Sequence, residues 1–169
     1  MLFSNSLNVL PTSIKINDFN LLKVDSTKFL GLHIDSDLSW KTHINYVSKI
    51  LSRNTGILNK LRHYFPTHIL QNIYATLISP YLNYGILAWG NASKFLLDTL
   101  FLLQKRAIRI INHSSYLSHT NDLFKKSRIL KITDLFYFNI GIFMFQFTTG
   151  NLPDAFLHMF TRNRQCNSQ

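Results

Sequence analysis

The hydrophobic period changes at Asp37, and this limits the folds open to the chain. Before Asp37, polar and apolar residues alternate in short runs. Ser13-Ile14-Lys15-Ile16 alternates, Asn17-Asp18 supplies a turn, and Asn20 to Val24 returns as a second strand. Lys28-Phe29-Leu30-Gly31-Leu32-His33-Ile34 alternates again, with Gly31 in mid-strand. A glycine there marks a bulge or the close approach of another backbone. Met1-Leu2-Phe3 can add a further, clipped strand. Three or four short strands make a sheet too small to stand alone, so it needs the helices behind it or a further element in front of it.

After Asp37 the apolar residues recur every three to four positions. Ser39 is placed to cap a helix of about six turns that carries Trp40, Ile44, Val47, Leu51, Leu58 and Leu61 on one stripe, with Asn54 filling one slot. Pro66-Thr67 opens a second helix through Ile69, Leu70, Ile73 and Leu77; Pro80 breaks or kinks it, and Tyr81 to Trp89 continues as an apolar piece ended by Gly90. Ser93 caps a third helix to about Asn112, and a short helix runs from Thr120 to about Ser127. Thr133 caps the last long helix, which stops near Gly150-Asn151 before Pro153. The expected fold class is α+β, mainly α: a short antiparallel β-element followed by a helical bundle. The expected divisions are 1–37 for the β-element, 38–160 for the helical domain and 161–169 for a flexible tail.

Charge narrows the partners. The 169 residues hold 18 Lys and Arg against 8 acids, a formal charge of +10, and all the acids are Asp. So basic a domain favours an anionic partner, nucleic acid ahead of a membrane surface, although a basic surface with no specific ligand has the same composition. The first helix carries Lys41, Lys49, Arg53, Lys60 and Arg62 and no acid. A helix needing only solubility would mix signs. Lys105, Arg106 and Arg109 form a second cationic group, and Lys125 and Lys126, with Arg128 and Lys131, a third; cations near a helix C-terminus also suit its dipole. Tyr64, Phe65, Tyr81, Tyr84 and Trp89 lie around the second helix. Packed core is the first reading of such aromatics, with Tyr64 and Tyr84 the best candidates for exposed rings that stack on bases.

Catalytic chemistry is not legible. Two-metal chemistry needs converging carboxylates. Asp35 and Asp37 are the only close pair, and at a strand-to-helix junction they read as turn former and helix-start anion. His33 and Asp35 share a strand face, but two groups are too few for a metal site. The seven histidines lack metal-ligand spacing and read as surface polar residues, and no glycine-rich phosphate loop or nucleophile elbow occurs. The single cysteine, Cys166, has no disulfide partner, which fits a reducing compartment. The most apolar stretch, Phe136 to Phe147, falls short of the roughly 20 residues of a membrane span.

The order and spacing of several motifs carry a resemblance. Lys28-Phe29-Leu30-Gly31-Leu32-x-Ile34-Asp35 is followed by Leu38-x-Trp40-x-x-His43-Ile44, then Leu61-Arg62. Pro80-Tyr81-Leu82-x-Tyr84-Gly85 comes next, with Trp89-Gly90, and Leu103-Gln104-Lys105-Arg106-Ala107-Ile108-Arg109 follows. His119-Thr120 with Leu123-Phe124, and Leu152-Pro153, complete the set. Together they resemble the segment after the catalytic palm in jockey-type non-LTR retrotransposon reverse transcriptases, from about Met1 to Phe156. The resemblance implies that Phe29, Leu30 and Gly31 match the primer-grip hairpin at the palm edge, and that the later helices match the thumb that tracks the template–primer duplex. The basic residues match only as thumb surface. The implied partners are RNA or an RNA–DNA duplex and the palm and fingers of a polymerase. No membrane is expected, and the location is intracellular, nucleus or cytoplasm. The family's aromatic-x-Asp-Asp turn has no counterpart here. The expectation is therefore a fragment with no catalytic residue and no metal or cofactor of its own, Mg²⁺ being expected only with a palm. A protein-interaction module using an apolar strand edge, or a non-functional remnant of a mobile element, are the alternatives.

Overall fold

A computed structural model describes the backbone of residues 14–16 and 19–21 and, with side chains, residues 23–156 and 159–160. The expected strand at Met1 to Phe3 and the tail from 161 lie outside the described residues. The fold is α+β and mainly α.

The alternating segment forms two antiparallel hairpins. β1 (Ile14–Ile16) pairs with β2 (Phe19–Leu21), Ile14 opposite Leu21. β3 (Ser26–Phe29) pairs with β4 (Leu32–Asp35), Ser26 opposite Asp35 and Phe29 opposite Leu32. Gly31 is therefore not in mid-strand. Leu30 and Gly31 form a two-residue tip, both with positive φ (46° and 82°), the pattern of a type I′ turn whose twist matches the strands it joins. The register sorts the side chains cleanly: Thr27, Phe29, Leu32 and Ile34 share one face, Ser26, Lys28, His33 and Asp35 the other.

Seven helices follow: α1 (Lys41–Leu61), α2 (Thr67–Leu77), α3 (Ser79–Asn83), α4 (Ile86–Trp89), α5 (Lys94–Ile111), α6 (Asn121–Ser127) and α7 (Ile132–Thr148). The core is the meeting of α1 and α5, where Ile44, Val47, Leu51 and Leu58 lie buried with Leu100, Ala107, Ile108 and Ile111. Asn54 fills its slot in the α1 stripe by donating from Nδ2 to the Leu77 carbonyl, one of the end groups α2 cannot satisfy itself. Buried Gln104 does the same for α7. Its Oε1 accepts the Ile132 N–H at 3.0 Å, while its Nε2 donates to the Tyr74 hydroxyl oxygen and the Leu130 carbonyl. Burial pushes the Tyr74 hydroxyl up to about 12.

Three expected boundaries move. Trp40, not Ser39, is the N-cap of α1, in a left-handed conformation without a side-chain cap bond of its own. The capping passes to Asp35, whose Oδ2 accepts both the Ser39 hydroxyl and the Thr42 N–H at 3.1 Å. Thr133 does not cap α7; Lys131 holds the N-cap position and Gln104 supplies the acceptor. Tyr81 to Trp89 is two helices, because Gly85 turns left-handed (φ 64°) between α3 and α4; Pro80 sits in the first turn of α3, where its missing N–H costs nothing.

α7 ends as expected. Gly150 (φ 72°) follows it, and the Asn151 N–H returns to the Gln146 carbonyl at 2.9 Å. The helix is apolar on every side, yet only Ile132 and Leu135 are buried, and Tyr137, Phe138 and Phe145 are exposed. Among the described residues no single helix is long and apolar enough to cross a membrane, although the bent pair α6 and α7 passes by length and composition.

Candidate nucleic-acid interface

The β3–β4 hairpin is fastened to the bundle through contacts between residues far apart in sequence. Tyr84 donates its hydroxyl to the Leu30 carbonyl at the tip. Its ring covers Gly31, where an added Cβ would stand 3.3 Å from Cε1. Next to it, a Cβ on Gly85 would fall 2.8 Å from Leu32 Cδ2, so β4 packs directly on this left-handed glycine. Trp89, fully buried, donates from Nε1 to the Tyr84 carbonyl at 2.9 Å and so aims the residue that meets the tip. Gly90 makes room for Phe136 of α7; a Cβ there would lie 2.3 Å from its ring. Thus Tyr84, Gly85, Trp89 and Gly90 act as one joint.

The middle of the hairpin is held by a second cluster. The His33 N–H donates to Nδ1 of His43 at 3.4 Å, which leaves the proton of a neutral His43 on Nε2. His43 is buried against Trp89, with ring centroids 5.7 Å apart, and the His33 ring lies against Tyr46 at 4.9 Å. His43 is therefore no surface histidine. Its position on α1 falls beside Ile44 and Val47, facing the hairpin. Burial, with a smaller contribution from His33, pushes its imidazole down from 6.5 to about 4. The unfolded chain then binds the extra proton first, so the stability contributed is complete above about pH 6.5 and is lost as pH falls toward 4. The unfolding free energy from denaturant titrations should fall through this window, by an amount on the order of 2–3 kcal/mol. His43→Phe should flatten that limb whatever it does to absolute stability; a limb that persists unchanged would assign it to another group.

Among the described residues no three His, Cys or Asp side chains are placed to hold a metal ion. Asp35 is spent on the start of α1, and Asp37 Oδ1 accepts the Ser39 N–H, as the turn-former reading expects.

On α1, Lys41, Lys49, Arg53 and Lys60 are exposed and Arg62 is half-buried at the C-cap. Lys49, Arg53 and Lys60 fall on one face, opposite Ile44, Val47, Leu51 and Leu58. Gly56 lies on that same side, and a Cβ there would meet nothing within 4 Å. No acid occurs anywhere between Asp37 and Asp98, so this face has no internal counter-charge. The other cations are deployed differently. Lys105 Nζ sits 4.3 Å above the Phe101 ring. Arg109 Nε donates to the Ser118 carbonyl at 2.9 Å and its guanidinium lies over Tyr116, so it closes the loop after α5 rather than standing free beside exposed Arg106. Lys125 and Lys126 are exposed in the last turn of α6. Of these three cations on α5 only Arg106 is exposed, Lys105 and Arg109 being half-buried.

Phe29 and Leu30 are 56% and 73% exposed, so the tip presents two apolar side chains to solvent. Tyr64 and Tyr84 are exposed, as the sequence suggests, while Trp89 belongs to the core.

A docked hairpin at the foot of an acid-free cationic helix, backed by a small bundle, defines the class: a basic, mainly helical α+β module. The chain is similar to a part of two mobile-element polymerases. Over 135 residues, 78% of its length, the chain is 24% identical to the RNA-directed DNA polymerase from mobile element jockey of Drosophila melanogaster, and over an equal span 25% identical to that of Drosophila funebris. Each match covers 15% of the relative, so the chain spans only a small part of the polymerases it resembles. No family model and no solved structure matches it. The chain is a distant relative of one segment of a retrotransposon reverse transcriptase.

Proposed function

We propose that this module grips the template–primer duplex of a retrotransposon reverse transcriptase, with the hairpin tip as primer grip and the helices as thumb. Leu30 carries the reading. A type I′ tip is best made by Asn-Gly, because both residues need positive φ. Here the first is a bulky leucine, forced to φ 46° and left 73% exposed. It satisfies neither turn geometry nor core packing, and such local conflicts collect where function requires them. An apolar tip beside a cationic helix suits the sugar edge and phosphates of a duplex end. Nucleotide addition needs converging carboxylates, so the chemistry, and its Mg²⁺, belong to a palm and fingers and not to the residues described here.

Binding of an RNA–DNA hybrid, followed by fluorescence anisotropy across a salt series, tests this. Affinity should fall steeply with salt. Leu30→Asn should raise thermal stability by about 1 kcal/mol, relieving the turn, while weakening hybrid binding. A stabilised variant that binds as well as the parent, or a parent that ignores the hybrid, would remove the primer-grip reading. The alternative of a protein-interaction module has one specific support, the outward face of α7, where Tyr137, Phe138 and Phe145 surround Gly141.

A further inference from the structure

We infer that Tyr84 is a positioning residue, locking the hairpin tip to the bundle so that tip and α1 meet one duplex at a fixed separation. The duplex half of this rests on the reading above; the lock rests on geometry alone. The phenol reaches across 54 residues of sequence to the Leu30 carbonyl. It takes hold of the residue in the least comfortable backbone conformation of the hairpin, and the ring lies on the glycine that completes the turn. Tyr84 is itself aimed by its extended backbone between α3 and Gly85 and by the Trp89 bond to its carbonyl. At 58% exposure the ring contributes little burial. A tyrosine kept for the core would turn its ring inward; this one spends its hydroxyl on an exposed tip. Phe29 and Leu30 gain little hold from packing, so without the phenol the turn itself is held only through its neighbours, Leu32 on Gly85 and His33 on His43.

Tyr84→Phe keeps the ring over Gly31 and removes only the hydroxyl. Amides of residues 26–35 should then exchange roughly 2- to 10-fold faster with solvent, as loss of one hydrogen bond implies, while those of α1 and α5 keep their protection. Unchanged hairpin exchange overturns the lock. For positioning, Lys28→Cys in a Cys166→Ser background carries a photo-crosslinker beside the tip, on a chain otherwise free of cysteine. With Tyr84 in place, crosslinks to a hybrid with one recessed 3′ end should fall within one or two nucleotides; with Tyr84→Phe added they should spread along the strand. Equal patterns overturn positioning. A chain that binds no hybrid overturns the duplex reading and positioning with it, while the exchange measurement still decides the lock.

Discussion

Trp89→Ala should destabilise the protein by about 3–5 kcal/mol, the cost of emptying a large buried aromatic site. Trp89 has no exposed surface, lies against His43 of α1 and belongs to the core shared by α1, α4 and α5. Its four-residue helix is too short to hold itself, so packing is what keeps it in place. The indole also donates to the Tyr84 carbonyl, and its loss should free the α3–α4 turn that meets the hairpin. Trp89→Phe separates the two effects. It keeps most of the volume and loses the N–H, so a smaller deficit of about 1–2 kcal/mol is expected, together with faster amide exchange at the hairpin. Chemical denaturation gives the first number. If Trp89→Phe and Trp89→Ala were equally damaging, the hydrogen bond and not the packing would be the main contribution.

Replacing Lys49, Arg53 and Lys60 together by Gln should remove a large part of the salt-sensitive hybrid binding. Each phosphate contact contributes about 0.9 to the slope of log affinity against log salt on a duplex. Three contacts on one face should therefore lower it by roughly 2.7, with an affinity loss on the order of 100-fold at low salt. Glutamine preserves the helix and its length, so melting temperature should hardly change. Arg109→Gln is the contrasting case. Its Nε is bound to the Ser118 carbonyl, so it should loosen the loop after α5 and leave the slope nearly unchanged. An unaltered slope in the triple variant would exclude the α1 face as the footprint; a reduced slope in Arg109→Gln would mean that the loop residue also reaches phosphate.

Much of the bundle is legible in the sequence because amphipathic periodicity is a local property. Ile44, Val47, Leu51 and Leu58 are buried as their spacing requires, and the ends of α5, α6 and α7 fall near the expected residues. The caps are less legible, since a cap is an acceptor in space. Asp35 outcompetes Ser39 at the start of α1 from seven residues before Thr42, and Gln104 serves Ile132 from another helix. The turn at Leu30-Gly31 hides because leucine is a poor residue for it. One signal was available: folding Ser26 to Asp35 back at that point separates Thr27, Phe29, Leu32 and Ile34 from Ser26, Lys28, His33 and Asp35, whereas a straight strand mixes them. The cationic stripe of α1 could be read directly. The roles of Tyr84 and Arg109 could not, because each depends on a carbonyl whose position only the folded chain defines. His43 deceived for a related reason: its polarity suggests solvent, but α1 turns it toward Trp89.

The carboxylate that ends β4 and begins α1 has an evolutionary implication. Asp35 ties hairpin and helix through Ser39 and Thr42, so the stretch between is a spacer of fixed length. One inserted or deleted residue there would pull Ser39 and Thr42 away from the Asp35 carboxylate and leave the start of α1 without that cap. The helix would then lose its fixed setting against the hairpin while every side chain stayed intact. Descendants of this module should therefore tolerate changes of letter between 36 and 41 far more readily than changes of count.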